Sequence, residues 1–259
     1  MVLKICIDAG HYGKYNRSNV YPSYYESDMT WKLCLLLKKE LEKYGFEVII
    51  TRTDKNVDLP LDTRGIKSKG CVLFISLHSN ACDTESVDRA VVIPYQDVNW
   101  TDIDDTSRGI AEKLGACVMN VMGLSSYQIY PRKAGNDRDG NGKLDDEYYG
   151  VLYGARKVGT PGVIVEHGFH TNTKCAKWLS DDKNLEKLAK AEAKVIADYF
   201  GAKKVITTDN EPSEWSKEAI EWAVKNKILQ GDENGDYKLR EPCTTERFIT
   251  FLYRALKKE

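Results

Sequence analysis

The chain is poor in the residues that make staples and switches. Four histidines and seven prolines are spread over 259 residues, and no two of its seven cysteines stand as C-x-x-C. The cysteines are odd in number, and most sit inside apolar runs such as KICID and GCVLF. That pattern argues against a disulfide framework or a Cys-based metal site, and reads as reduced thiols within the core. An excess of one charge is also missing, since 38 basic and 39 acidic residues leave a formal charge of -1. A nucleic-acid partner would leave a basic footprint, so none is expected. No apolar run is long enough to span a bilayer, which excludes insertion of a membrane helix. The opening MVLKICID reads as a strand rather than a secretion leader, and predicts synthesis in the cytoplasm without a signal peptide.

What is present is a regular alternation of strand and helix patterns. Leu3–Asp8, Glu47–Thr51, Val72–Leu77, Ala90–Pro94 and Gly162–Glu166 read as strands. Asp28–Tyr44, Leu61–Lys69, Asp105–Met122, Tyr148–Val158 and Asp182–Phe200 read as helices. In the first of these, Trp31, Leu33, Cys34, Leu36, Leu37 and Leu41 share one broad face, and Gly45 stands where a helix commonly stops. The alternation predicts an α/β domain over residues 1–201, a mixed, mostly parallel twisted sheet flanked by helices. Residues 202–212 are polar and turn-rich and read as a linker. Residues 213–259 carry two further amphipathic patterns, Ser216–Lys227 and Thr245–Lys257, which predict a small α-helical C-terminal domain. A piece this short is near the lower limit for an independent core, so it needs the main domain, another copy of itself or a partner.

Three of the apolar runs end in residues that bind metals or move protons. His11 closes KICIDAGH, His78 closes VLFISLH, Glu166 closes GVIVE, and Glu26 precedes the first long helix. In an open α/β sheet, strand ends on one edge converge on a shared crevice. Two imidazoles and two carboxylates meeting there fit a zinc ion held by His11, Glu26 and His78, with Glu166 as general base. Zinc with three protein ligands keeps an open position and lowers the pKa of a bound water to about 7. Other zinc peptidase templates are absent, for there is no H-E-x-x-H and no inverted form of it. On spacing alone, Glu26 also fits a carboxylate favoured by the dipole at a helix N-terminus. His167 alternates away from Glu166 along its strand and is expected to be structural. His170, beyond Gly168, could reach the site as a substrate contact.

IDAGH at 7–11, Glu26 in YYESD, the stretch from Arg64 to SLHSNA ending at Ala81, and VIVEHGFHTN at 163–172 resemble the zinc-dependent N-acetylmuramoyl-L-alanine amidases of the amidase-3 type, found in autolysins and phage endolysins. The likeness spans roughly residues 1–200. It implies a Zn2+ hydrolase of peptidoglycan, cutting the amide between N-acetylmuramic acid and the first L-alanine of the stem peptide. The family's zinc ligands map onto His11, Glu26 and His78, and its catalytic glutamate onto Glu166. Arg64 matches a recurring family arginine and is a substrate-binding candidate, or else a helix–sheet salt bridge. Asn80 and His170 complete the substrate-side candidates. Read without the family, the same residues also suit a zinc hydrolase of another peptidoglycan amide, such as a carboxypeptidase, or a non-catalytic wall-binding scaffold.

Two further features stand out. The run NDRDGNGKLDDE has the D-x-D-x-N-G form of a calcium loop, with Asp137, Asp139, Asn141 and Asp145 as candidate Ca2+ ligands. Tyr148 occupies its twelfth position, where a strong bidentate ligand belongs, so the run also reads as a polar loop preceding a helix. The tail, SEWSKEAIEWAVKNKILQGDENGDYKLREPCTTERFITFLYRAL, resembles a single S-layer homology motif. That likeness implies binding of a secondary cell-wall polymer, and a lone copy could instead form homo-oligomers. Together these features predict a phage or prophage endolysin, made in the cytoplasm and acting on the wall after the membrane is breached.

Overall fold

The computed structural model describes residues 2–96, 102–144, 146–205 and 209–257, and divides the chain into two compact units, Met1–Lys204 and Val205–Glu259. The first is built on a six-stranded sheet: β1 (Lys4–Ala9), β2 (Glu47–Ile50), β3 (Leu73–Asn80), β4 (Arg89–Pro94), β5 (Ser126–Ile129) and β6 (Gly162–Phe169). Its order is β2-β1-β3-β6-β4-β5, and only the β4–β6 pair runs antiparallel. The mixed, mostly parallel sheet is therefore as expected. Buried on both faces, its central strands are continuous runs of Val, Ile, Leu and Phe rather than alternating ones.

Helices α1 (Glu26–Glu42), α3 (Asp102–Met122), α5 (Thr173–Leu179) and α6 (Asp182–Phe200) contribute to the larger core, with Leu33, Leu37, Leu114, Leu188 and Ile196 buried against one another and the sheet. On a second, smaller core lies α4 (Gly150–Lys157), through Val151, Leu152 and Ala155. α2 (Leu61–Ile66) packs beside it. α1 starts two residues earlier than its apolar period suggests, because Glu26 and Asp28 favour the positive end of the dipole. It stops before Gly45, whose φ of 78° is left-handed. α6 falls on its expected residues, and α3 begins three residues before Asp105. β5 and α5 were not apparent in the sequence pattern.

The second unit has a short 3-10 turn (Glu214–Ser216), α7 (Lys217–Lys225) and α8 (Thr245–Leu256). Polar ties dominate it. Asp209 pairs with Arg240, Asn210 bonds Gly235 and Tyr237, and Arg254 donates to the Ile228 carbonyl. Asp209 to Glu211, expected in the linker, are thus stitched into this unit. Among the described residues no helix is long and apolar enough to cross a membrane. All seven cysteines are free thiols.

Candidate active site

Strands β1, β3 and β6 lie side by side and parallel, so their C-terminal ends reach one edge of the sheet together. His78 of β3 pairs directly with Glu166 of β6. Directly paired residues on neighbouring strands project to the same face, which sets this imidazole and carboxylate on one wall. His11 follows β1 by two residues, and Glu26 is the first residue of α1. The ligand atoms of His11, Glu26 and His78 all lie within 4.8 Å of one another. They open with Glu166 and His170 onto a cleft of about 390 Å³.

The turn between β1 and His11 is tightly specified. A Cβ on Gly10 would sit 2.4 Å from the His78 ring and 2.6 Å from the Leu77 carbonyl, so only glycine admits the second imidazole. His11 itself has a left-handed φ of 58°, which costs a non-glycine residue about 1–3 kcal/mol and persists only where its surroundings over-determine it. Two buried arginines supply that constraint. Arg52 Nη2 donates to the Ala9 carbonyl at 3.0 Å, and Arg64 bonds the Ala9 and His11 carbonyls at 3.3 and 3.4 Å. Arg64 also faces the buried Asp8 carboxylate at 3.5 Å. It ties α2 to the sheet beneath the turn, and also reaches the Leu59 carbonyl at 3.0 Å and the Asp58 carboxylate at 3.2 Å.

Both oxygens of Glu26 are engaged. Oε1 accepts from the Ser79 amide at 2.9 Å and lies 2.9 Å from His78 Nδ1; Oε2 accepts from Asn16 Nδ2 at 2.8 Å and lies 3.3 Å from His11 Nε2. Burial pushes the Glu26 carboxyl upward, but its bonds to His11 and His78 outweigh that and hold it below the usual carboxylate range. Burial opposes charge on His78 as well, yet Glu26 raises its pKa to about 9. The centre therefore attracts positive charge, as protons or as a cation. Glu166 differs. Burial lifts its carboxyl to about 7, against the lowering effect of His78, and its Oε2 is buried with no hydrogen-bond partner. An unpartnered carboxylate oxygen on a cleft wall, with a pKa near neutrality, is equipped to take and return a proton.

A match to the family model for N-acetylmuramoyl-L-alanine amidase, Amidase_3, covers residues 5–198. The chain belongs to that family. The probable cell wall amidase LytH of Staphylococcus aureus is 27% identical to this amidase-family chain over 200 residues, which are 76% of this chain and 58% of LytH. The catalytic domain of CwlV, an N-acetylmuramoyl-L-alanine amidase from Bacillus (Paenibacillus) polymyxa var. colistinus, superposes with a TM-score of 0.63 at 20% identity, over 78% of this chain and all of that one. AmiC2 of Nostoc punctiforme superposes with a TM-score of 0.60 at 21% identity, over 77% of this chain and 97% of its own. These superpositions establish a shared fold for the first unit.

Other side chains fall into place around the cleft. His170 Nδ1 lies 3.0 Å from both the carbonyl and the hydroxyl of Ser79, which leaves Nε2 as the acceptor of the ring; burial lowers its pKa, so it is neutral. Asn80 lines the cleft, but its Oδ1 accepts from the Ala81 amide at 2.8 Å. His167 turns away from the cleft, lying 2.9 Å from the His78 carbonyl through Nδ1 and 2.9 Å from Glu192 of α6 through Nε2. Asn16 and Ser79 are participants that sequence reading missed. Asn16 bridges Glu26 and His11 only because it takes a left-handed φ of 51°, and asparagine's tolerance of that conformation was the available signal. In the acidic loop, carboxylate oxygens of Asp137, Asp139 and Asp146 come within 4.8 Å of one another. Asp145 lies outside the described residues. Asp137 is already engaged, accepting from the amides of Gly140, Asn141 and Gly142, as a tight polar turn requires.

Proposed function

We propose that this chain is a zinc-dependent N-acetylmuramoyl-L-alanine amidase that hydrolyses peptidoglycan between the muramoyl lactyl group and the first L-alanine. The observation that carries the reading is the gathering of His11, Glu26 and His78 at one cleft, with the unpartnered Glu166 oxygen on its wall. Two imidazoles and one carboxylate are a zinc donor set, and three protein ligands leave a position open for chemistry. When bound, zinc supplies Lewis acidity, polarising the scissile carbonyl and acidifying a water.

The chain's own groups do the rest. Glu166 takes the proton of the attacking water as the new C–O bond forms. It then returns that proton to the departing alanine nitrogen as the C–N bond breaks, so the carboxylate is regenerated. Asn16 and the Ser79 amide fix Glu26, and Glu26 in turn orients His78. His170, neutral and held through Nδ1, presents Nε2 as an acceptor for a substrate N–H or O–H. The tail's likeness to an S-layer homology motif supports delivery to the wall of a Gram-positive host. A phage or prophage endolysin, lytic once the membrane is breached, has this combination of parts.

The test is digestion of purified Gram-positive peptidoglycan with and without a chelator, followed by mass spectrometry of the fragments. Zinc-restorable release of stem peptides with free L-alanine amino termini, from intact glycan, is the expected result. Cuts elsewhere in the stem would move the substrate bond, and release unaffected by metal removal would sink the zinc assignment.

A further inference from the structure

Apolar side chains occupy two sides of α8. On one side, Phe251 and Ala255 are half-buried beside Arg247 and Arg254, which donate to the Tyr237 and Ile228 carbonyls. On the other, Phe248, Ile249, Leu252, Tyr253 and Leu256 are 55, 58, 45, 57 and 82% exposed. At 3.6 residues per turn these five form one continuous arc of about 140°. A surface helix attaches to its own core through a stripe of about 100°, so this second face is wide enough to be a full contact. Contiguous apolar surface of this kind marks an interaction site.

We infer that this face is the contact between two copies of the chain, with their α8 helices packed antiparallel about a twofold axis near Leu252. Charge favours a second copy. Glu246 in the first turn and Lys257 just past the last border the same edge of the arc, and Lys257 Nζ sits 5.0 Å from the Tyr253 ring centre. Antiparallel packing brings each Glu246 beside Lys257 of the other copy and sets each Phe248 toward the other's Leu256. A patch that matches itself under a twofold is what an isologous dimer needs. Size agrees as well. Aromatic side chains bury about 150–250 Å² each, so five roughly half-exposed large residues offer on the order of 500 Å² per copy and about 1,000 Å² in all, at the lower end for a specific interface. Burial gives the reason: Ile228 and Leu229 are the only buried hydrophobics of this unit among the described residues. A second copy provides the missing core and doubles the number of catalytic units on each particle, which strengthens hold on an insoluble substrate.

Sedimentation of the full chain from about 1 to about 100 µM tests the inference, since interfaces of this size hold with micromolar affinity. The expected result is a monomer–dimer equilibrium that Leu252→Asp shifts at least tenfold toward monomer, with helix content unchanged by circular dichroism. Glu246→Lys and Lys257→Glu each weaken the dimer several-fold, and the double exchange restores it. If Leu252→Asp costs helix content, Leu252→Cys in a Cys243→Ser background replaces it, and copper-catalysed air oxidation is expected to give a disulfide-linked dimer. A monomer at every concentration overturns the inference. So does a dimer indifferent to Leu252, or a monomer whose binding to purified walls is abolished by Leu252→Asp, which would make a wall polymer the occupant.

Discussion

In the first unit, Leu33, Leu37 and Leu41 of α1 are completely buried, and four helices share one core with the sheet. In the tail unit, neither α7 nor α8 contributes a buried residue, while Trp215, Trp222 and Leu256 stand 90, 51 and 82% exposed. Both units are amphipathic in sequence, but only the first is long enough to turn its apolar faces toward one another. The second holds its shape with Asp–Arg, Asn–backbone and Arg–carbonyl ties, leaving its large apolar groups outward. The lesson concerns size: short segments cannot bury what their helices offer, so the surplus becomes surface for recognition.

The largest effects that would test this contrast lie in the first unit. His78→Ala and His11→Ala are expected to abolish both zinc stoichiometry and turnover, read by elemental analysis beside hydrolysis of a soluble muropeptide. Full zinc occupancy in either variant would remove that histidine from the ligand set. Next comes Glu166→Gln, with zinc retained and kcat lower by about 10²–10⁴, the usual worth of a general base. Activity near the parent level would discard the base assignment.

Stability comes next in size. Leu188→Ala, at a fully buried site of α6, should cost about 2–5 kcal/mol in chemical denaturation, whereas Leu256→Ala, 82% exposed, should change the dilute monomer by less than about 0.5 kcal/mol. Equal costs would erase the distinction between the two units. The smallest effect is a pH slope. Glu147 is buried with Arg156 shared between it and Asp104, and burial pushes its carboxyl up to about 7. A carboxyl raised on folding favours the folded state fully below its ordinary value of about 4.5, and that contribution is lost as pH rises through about 7. Glu147→Gln should therefore shrink the difference in Tm between pH 5 and pH 8 by a few degrees. An unchanged difference would mean that Glu147 is ionised throughout.

Much of the first unit was legible because long periods survive local noise. α6 and the apolar strands announce themselves by burial alone, and the polar residues that end β1, β3 and β6 stand out against it. β5 was not legible: four residues at the sheet edge, SYQI, half-buried at best, resemble a loop. Thr173–Leu179 escaped for a similar reason, since a two-turn helix barely establishes a period. At the site, histidines and glutamates were visible as residue types. Asn16 and Ser79 were not, because the reach of the Asn16 amide depends on a left-handed backbone and the role of Ser79 on the direction of its own N–H. The register of His78 against Glu166 needed the sheet order, which no local pattern encodes.

That order has a consequence for how the molecule comes into being. β6 is the last strand in the sequence, yet it lies between β3 and β4. Without β6, β2-β1-β3 and β4-β5 share no strand pairing and leave a vacant lane between them, so the sheet closes only when its last-made strand is paired. The strand that fills the lane is the one that carries Glu166. Completion of the sheet and arrival of Glu166 opposite His78 are therefore one event, and the cleft has no Glu166 wall until the last strand is paired.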